Sequence, residues 1–502
     1  MSQSIPFGRP CPADRILGRG LGRSVAVALL ASLAACTSTE PGAPKDETQR
    51  PVADGNADIS RLRQFAARGD PSAQYALGRL FLAGREVRED KTKALYWIRR
   101  AAEQKMAPAQ ETLGAMYDEG NGVVSDYAEA AHWYRLAAEQ GLPKAQFRLG
   151  TFYKEGLGVA QDDATALGFY RRAAEQGLAP AQLELGMHFR SPGEEQDHSQ
   201  AVKWFRLAAG QGVAAAQFNL GLAYALGQGV AQDDAEAANW YRMAAERGIA
   251  AAQNNLGAMY KHGHGVAQDL GEAAKWYRLA AEQGNSVGQY NFAVAVGYGR
   301  GVQRDLEQAR EWYRLSAEQG FADAQNNLGA FYLRGVGMDP DYGEALKWYR
   351  LAAAQGHPRA LHSLGYMYRT GRGVERDHVE AVAWYRKAAD RGLAMAQLWL
   401  GLMYQYGQGV PRDDGEAAAW FRLAAEQGNP TAQLNLGLLH AKGTGVPRDL
   451  AEAYKWLSLA VSRVEQNMRD DAITLRDKTA AGMNNDQLVE GRRLVQEWER
   501  DR

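Results

Sequence analysis

Two histidines one residue apart, His262 and His264, are the closest approach this sequence makes to a metal-binding pair. Imidazole nitrogens hold zinc or copper, but a closed site needs about four ligands. The neighbourhood offers no further obvious ligand, so a solvated pair is the expectation. A second suggestive set is acidic. Aspartate recurs at Asp90, Asp126, Asp162, Asp197, Asp233, Asp269, Asp305, Asp341, Asp377, Asp413 and Asp449, mostly with Glu or Gln three residues on, as in Asp269/Glu272 and Asp413/Glu416. At that spacing, ahead of an apolar run, the pair reads as a capping box rather than as an acid and a base. The aspartate would accept from exposed amides at the positive end of a helix dipole. A third set carries amides. One slot holds Asn219, Asn255, Asn291, Asn327 and Asn435, and in another unit Trp399. Asparagine offers both donor and acceptor, so the row either grips an extended backbone or bonds adjacent units together. Trp399 is either an interface anchor or packs against Tyr366 or Leu434, and Tyr290, His362 and Tyr406 join the same candidate face. There is no phosphate loop, no His-Glu-x-x-His and no nucleophile elbow. No catalytic residue, metal or cofactor is expected.

These residues recur because the chain repeats itself. Gln74, Gln110, Gln146, Gln182, Gln217, Gln253, Gln289, Gln325, Gln397 and Gln433 each precede a slot four residues on that is Gly in all but one unit, where Ala293 stands. The step is 36 residues, or 35 between Gln182 and Gln217, and Leu361 fills the one missing slot. A period of this size predicts an all-α fold, an α/α superhelical solenoid of about eleven helix-turn-helix units. In Ala251–Gly284, Ala252, Leu256, Met259 and Tyr260 mark the inner face of a first helix. Gly263 and Gly265 end it. A second helix begins at Asp269 and carries Trp276. Its equivalents are Trp97, Trp133, Phe169, Trp204, Trp240, Trp312, Trp348, Trp384, Trp420 and Trp456, expected in the core. Three units depart from pattern: the fourth, with Ser191-Pro192-Gly193; the seventh, with Gly288 and Ala293; and the ninth, with Leu361.

The bulk numbers agree with an array. Lys+Arg is 58 against 59 Asp+Glu, so no basic excess points to nucleic acid. Cys11 and Cys36 both lie outside the repeats, which excludes a disulfide framework within them. Near the N-terminus Arg15, Arg19 and Arg23 precede an apolar run, Val25 to Ala35, that is too short to span a bilayer. The ending Leu33-Ala34-Ala35-Cys36 resembles a bacterial lipobox, which implies cleavage before Cys36 and its lipidation. Residues 37–57 are polar and read as a tether. The expected organisation is a signal peptide over 1–35, lipidated Cys36 and tether over 36–57, the solenoid with an N-terminal capping helix over 58–460, and capping helices over 461–502.

The phrases Ala-Gln-x-x-Leu-Gly-x-x-Tyr, Gly-x-Gly-Val, Asp-x-x-Glu-Ala and Trp-Tyr-x-x-Ala-Ala-x-x-Gly resemble the Sel1-like repeat family. That resemblance implies antiparallel helix pairs in a right-handed superhelix, related to tetratricopeptide arrays, and a role in binding other proteins. By the same likeness the slot of the five asparagines and Trp399 faces a groove. The function expected is a cell-envelope scaffold, anchored by lipid to the outer membrane and facing the periplasm. Its partners would be envelope proteins or peptides, with no nucleic acid and no small-molecule substrate. The alternatives are a periplasmic regulator of a signalling or polysaccharide-assembly complex, and an envelope hydrolase acting on peptidoglycan or β-lactams.

Overall fold

Every second helix in the computed structural model begins at one of the recurring aspartates. The structure describes residues 55–193 and 196–500, so the signal segment, Cys36 and most of the tether lie outside it. The described residues form twenty-five helices and no strand, in keeping with the all-α prediction. The chain divides into two compact units, Met1–Gln268 and Asp269–Arg502. Within each, consecutive helices pack on one another, pair after pair. None of the described helices is long and apolar enough to cross a membrane.

In the first unit the pair Pro143–Glu155 and Asp163–Glu175 shows how sequence builds one repeat. Ala145, Leu149 and Phe152 are buried at helical spacing. Gly156, with φ of 70°, closes the first helix in the left-handed conformation. Asp162 then accepts from the Thr165 amide at 2.9 Å and starts the second. Tyr170 returns to lie across Gly150, where an added Cβ would sit 2.9 Å from the ring. In the second unit Ala322–Arg334 and Tyr342–Ala354 repeat the design, with Gly329 under Tyr349, again at 2.9 Å. The helix glycine therefore marks the seat of an aromatic ring in these repeats, and of Ile98 over Gly78 and Leu457 over Gly437 in the first and last. The second loop glycine has another reason: a Cβ at Gly301 would fall 2.0 Å from the Leu270 carbonyl oxygen of the preceding helix start. That approach leaves room for hydrogen only.

The repeating glutamines are structural. Gln110 Nε2 donates to the Ala102 carbonyl at 3.1 Å, and its Oε1 accepts from Gln140 at 2.7 Å. In the second unit Gln325 bonds the Ala317 carbonyl at 3.1 Å and accepts from Gln355 at 2.9 Å. Each rung ties the end of one second helix to the next repeat, and in Gln110 and Gln325 the buried amide is satisfied at both ends. In the ninth repeat buried Leu361 replaces the rung, and Arg391 turns back to the Lys387 carbonyl.

Two sequence expectations need correction. The tryptophan column is mostly not the innermost one. Trp97, Trp133, Trp204, Trp240, Trp312, Trp384 and Trp420 are half-buried, as is Phe169, while Trp276, Trp348 and Trp456 are buried. The following residue is the one fully enclosed: Tyr134, Phe205, Tyr349, Tyr385 and Phe421 are each at most 2% exposed. Adjacent helix positions lie about 100° apart, and the partner glycine admits only one of them. The capping box is also only half formed. The aspartate amide already donates to the first helix, as from Asp126 to the Tyr117 carbonyl at 3.0 Å and from Asp341 to Tyr332 at 2.9 Å. The glutamate is thereby released forwards: Glu129, Glu344 and Glu416 accept from the indole N–H of Trp133, Trp348 and Trp420.

The irregular repeats show local compensation. Helix Ala179–Arg190 ends on extended Ser191 rather than on a left-handed glycine. Arg190 reaches the next repeat and donates to Asn219 Oδ1 at 2.6 Å. In the seventh repeat Ala293 occupies the ring-seating position, while Gly288 lets the helix start move in, where a Cβ would meet Ala280 at 2.7 Å. Ser316 Oγ then donates to the Ser286 carbonyl at 2.7 Å. At the ends, Gly55–Ala67 packs on the first repeat, and Gln466–Ala481 and Asn485–Arg500 pack on Leu450–Val461.

Candidate functional site

Helix Pro358–Thr370 buries Leu361, Leu364, Gly365 and Met367. The intervening spacing of four and three places His362, Tyr366 and Arg369 on another face. Arg369 is the centre of a cluster drawn from three consecutive repeats of the second unit. Its guanidinium carbon lies 4.1 Å from the Trp399 ring centroid and 5.6 Å from that of Tyr366. Its Nε donates to the Tyr385 hydroxyl at 3.3 Å. Tyr385 in turn stacks on Trp399 with centroids 6.3 Å apart and planes 13° apart, and contacts His362 at 5.4 Å. Arg372, just past the helix, lies 5.4 Å from Tyr366 and 5.8 Å from Tyr342. The result is a ribbon of alternating rings and guanidinium groups, each Arg held by cation–π contact.

The electrostatics are one-sided. Arg369 and Arg372 make no ion pair among the described residues. Burial lowers the pKa of His362 to about 4, with Arg369 adding to the effect, so its imidazole is neutral near pH 7. Its Nε2 is enclosed with no hydrogen-bond partner. Burial also pushes the Tyr385 hydroxyl up to about 12, so it remains a neutral partner for Arg369. The corresponding helices of the first unit carry other polar contacts, one of them an ion pair. Lys154 pairs with Glu184 at 2.8 Å, Tyr134 donates to Asp118 at 3.3 Å, and Tyr75 meets Thr112 at 3.1 Å.

The structure places the sequence-nominated residues unevenly. Trp399 and His362 come together in the cluster, with Tyr385 and Arg369 beside Trp399. Tyr406 ends helix Ala394–Tyr406, is 67% exposed and lies apart from the cluster. Tyr290 packs edge-on to Phe321 at 5.3 Å and against Tyr313 at 5.8 Å. Asn219 is buried, bonding Arg190 and donating to the Ala215 carbonyl at 2.8 Å. Asn255 and Asn327 are hydrogen-bonded to the hydroxyls of Tyr241 and Tyr313 in the preceding helices. Asn435 donates to the Thr431 carbonyl at 2.9 Å, and Asn291 is half-buried. His262 and His264 stack at 5.5 Å, but no group of three metal-ligating side chains exists among the described residues.

Sequence reading missed Arg369, Arg372, Tyr342 and Tyr385. Tyr366-x-x-Arg369 was a visible signal, since a spacing of three sets the cation beside the ring, whereas Arg372 reaches Tyr366 only through the turn at Gly371. Trp399 could not be joined to them, because the contact crosses a repeat boundary.

A family model described as Sel1 repeat matches eleven successive segments, from 71–106 through 430–463. Among solved structures, c5321, a protective antigen of uropathogenic Escherichia coli displaying an SLR fold, is 38% identical with a TM-score of 0.79. The match covers 88% of this chain and 94% of that one. A Sel1 repeat protein from Oxalobacter formigenes is 33% identical, covering 46% of this chain and 92% of that one, with a TM-score of 0.44. No curated protein sequence matches.

Proposed function

This chain belongs to the Sel1 repeat family, and from that premise we propose that it is a non-catalytic protein-interaction scaffold of the bacterial cell envelope. In this reading Cys36 carries lipid in the outer membrane, residues 37–57 give reach, and the repeats face the periplasm. The contact face is that of the first helices, and its centre is the Arg369–Trp399 cluster. The single observation that supports this centre is the half-buried Trp399, held between Tyr385 and Arg369. A pre-oriented aromatic anchor with an adjacent arginine is the composition that dominates binding energy at protein interfaces. Its rigidity lowers the ordering cost of association. Nothing in this mechanism makes or breaks a bond: lipid positions the array, and the array positions its partner.

The test is affinity capture of the tagged lipoprotein from mildly crosslinked envelopes. A defined envelope protein should be recovered and lost with Trp399→Glu, in protein whose helical circular dichroism is unchanged. Cys36→Ser should release the protein from the membrane fraction. Capture unaffected by Trp399→Glu would remove the cluster from this role, and membrane retention of Cys36→Ser would remove the lipid anchor.

A further inference from the structure

We propose that the Arg369–Arg372 ribbon recognises the side-chain carboxylates of an acidic peptide segment on the partner. This rests on the scaffold reading and adds the chemistry of the occupant. Two observations carry it. First, both guanidinium groups lean on the same ring, Tyr366, at 5.6 and 5.4 Å, so two positive charges share one patch. Second, neither is ion-paired among the described residues, in contrast to Arg314, which pairs with Glu318 at 2.6 Å, and Arg412, which pairs with Asp414 at 2.8 Å. Arg369 uses Nε for Tyr385, and its two amino nitrogens have no protein partner among the described residues.

Cation–π contact holds the guanidinium groups over the rings while leaving N–H donors available. A planar donor fork matches a carboxylate in two parallel hydrogen bonds. The neighbouring groups favour an anion. His362 is uncharged, the Tyr385 hydroxyl stays neutral near pH 7, and Trp399 and Tyr342 supply low-dielectric walls that strengthen a charge pair. Two cations in one patch suit two acidic side chains better than a single chain terminus. The ring faces of Tyr342, Tyr366 and Trp399 suit the methylene stems and apolar residues between those carboxylates.

The experiment is fluorescence anisotropy with the full chain and two labelled octapeptides, alternating Ala and Glu or Ala and Gln, each with an amidated C-terminus. The Glu peptide should bind at least about tenfold more tightly than its Gln counterpart, which is about 1.4 kcal/mol. That preference should weaken with salt. Arg372→Gln and Arg369→Gln should each reduce it severalfold, and together abolish it. Arg372 is exposed, so its variant tests the proposal without disturbing packing. Equal affinity for the two peptides, no measurable binding of either, or undiminished preference in the double variant would overturn the proposal. So would binding only when the C-terminus is a free carboxylate. If envelope capture still depends on Trp399 while the Glu preference is absent, this inference fails and the scaffold reading stands.

Discussion

Tyr349 lies over Gly329 so closely that a single added methyl group would stand 2.9 Å from two of its ring carbons. The ring comes from one helix of the repeat and the glycine from the other, and their contact sets the distance between them.

Gly329→Ala should therefore destabilise the second unit by about 1–3 kcal/mol through overpacking. Gly168→Ala is the matched control. It lies within helix Asp163–Glu175 with nothing near its added methyl, and should stabilise by about 0.5–1 kcal/mol. Thermal melts of both variants check the sign. Two shifts in the same direction would refute the contact argument.

Tyr349 and Trp420 separate the true core column from its neighbour. Tyr349→Ala should cost about 3–5 kcal/mol, since the ring is enclosed. Trp420→Ala should cost clearly less, because the indole is half-buried. Denaturant midpoints ranking the tryptophan variant as the worse one would restore the expectation drawn from sequence.

The glutamine rung predicts an order of substitutions. Gln325→Ala removes the donor to the Ala317 carbonyl, leaves the Gln355 amide only its bond to the Gly320 carbonyl, and opens a gap, at about 1–3 kcal/mol. Gln325→Leu should be milder, because the chain itself places Leu361 in that slot and fills the space. Hydrogen exchange of the Gln355–Gln325 junction measured for the two variants would show the ranking, and a worse result for Leu would contradict it.

His362 predicts a pH dependence with a definite sign. Its pKa falls from 6.5 unfolded to about 4 folded, so the unfolded chain binds the extra proton first. Its contribution is fully present above pH 6.5 and is lost as pH falls from there towards 4. At the low end the loss is about 3 kcal/mol. The groups facing the imidazole are Arg369 and Tyr385, and burial holds the Tyr385 hydroxyl up at about 12, outside that window. His362→Gln should flatten the stability profile between those limits relative to the parent chain. Parallel profiles would show that the imidazole is not held neutral.

The repeat length, the all-helical class, the aspartate caps and the glycine stops were legible in the sequence because each is a local property, repeated often enough to average out accident. Asp162 caps its helix whatever lies beyond it, and Gly156 can turn left-handed in any surroundings. The glutamine column was legible as a repeat but not as a rung, since its partners Ala102 and Gln140 flank it on two different helices. Tertiary structure decided what periodicity left open. Trp384 and Tyr385 are neighbours on one helix, and only Gly365 on the facing helix selects the tyrosine for the core. Glu129 was free to bond Trp133 because the Asp126 amide had found a carbonyl outside its own helix. Arg369 meets Trp399 only because successive repeats stack, and so the ribbon of rings and guanidinium groups exists in space without existing as a motif. Local chemistry is written in the chain; which faces meet is settled by the shape of the space between helices.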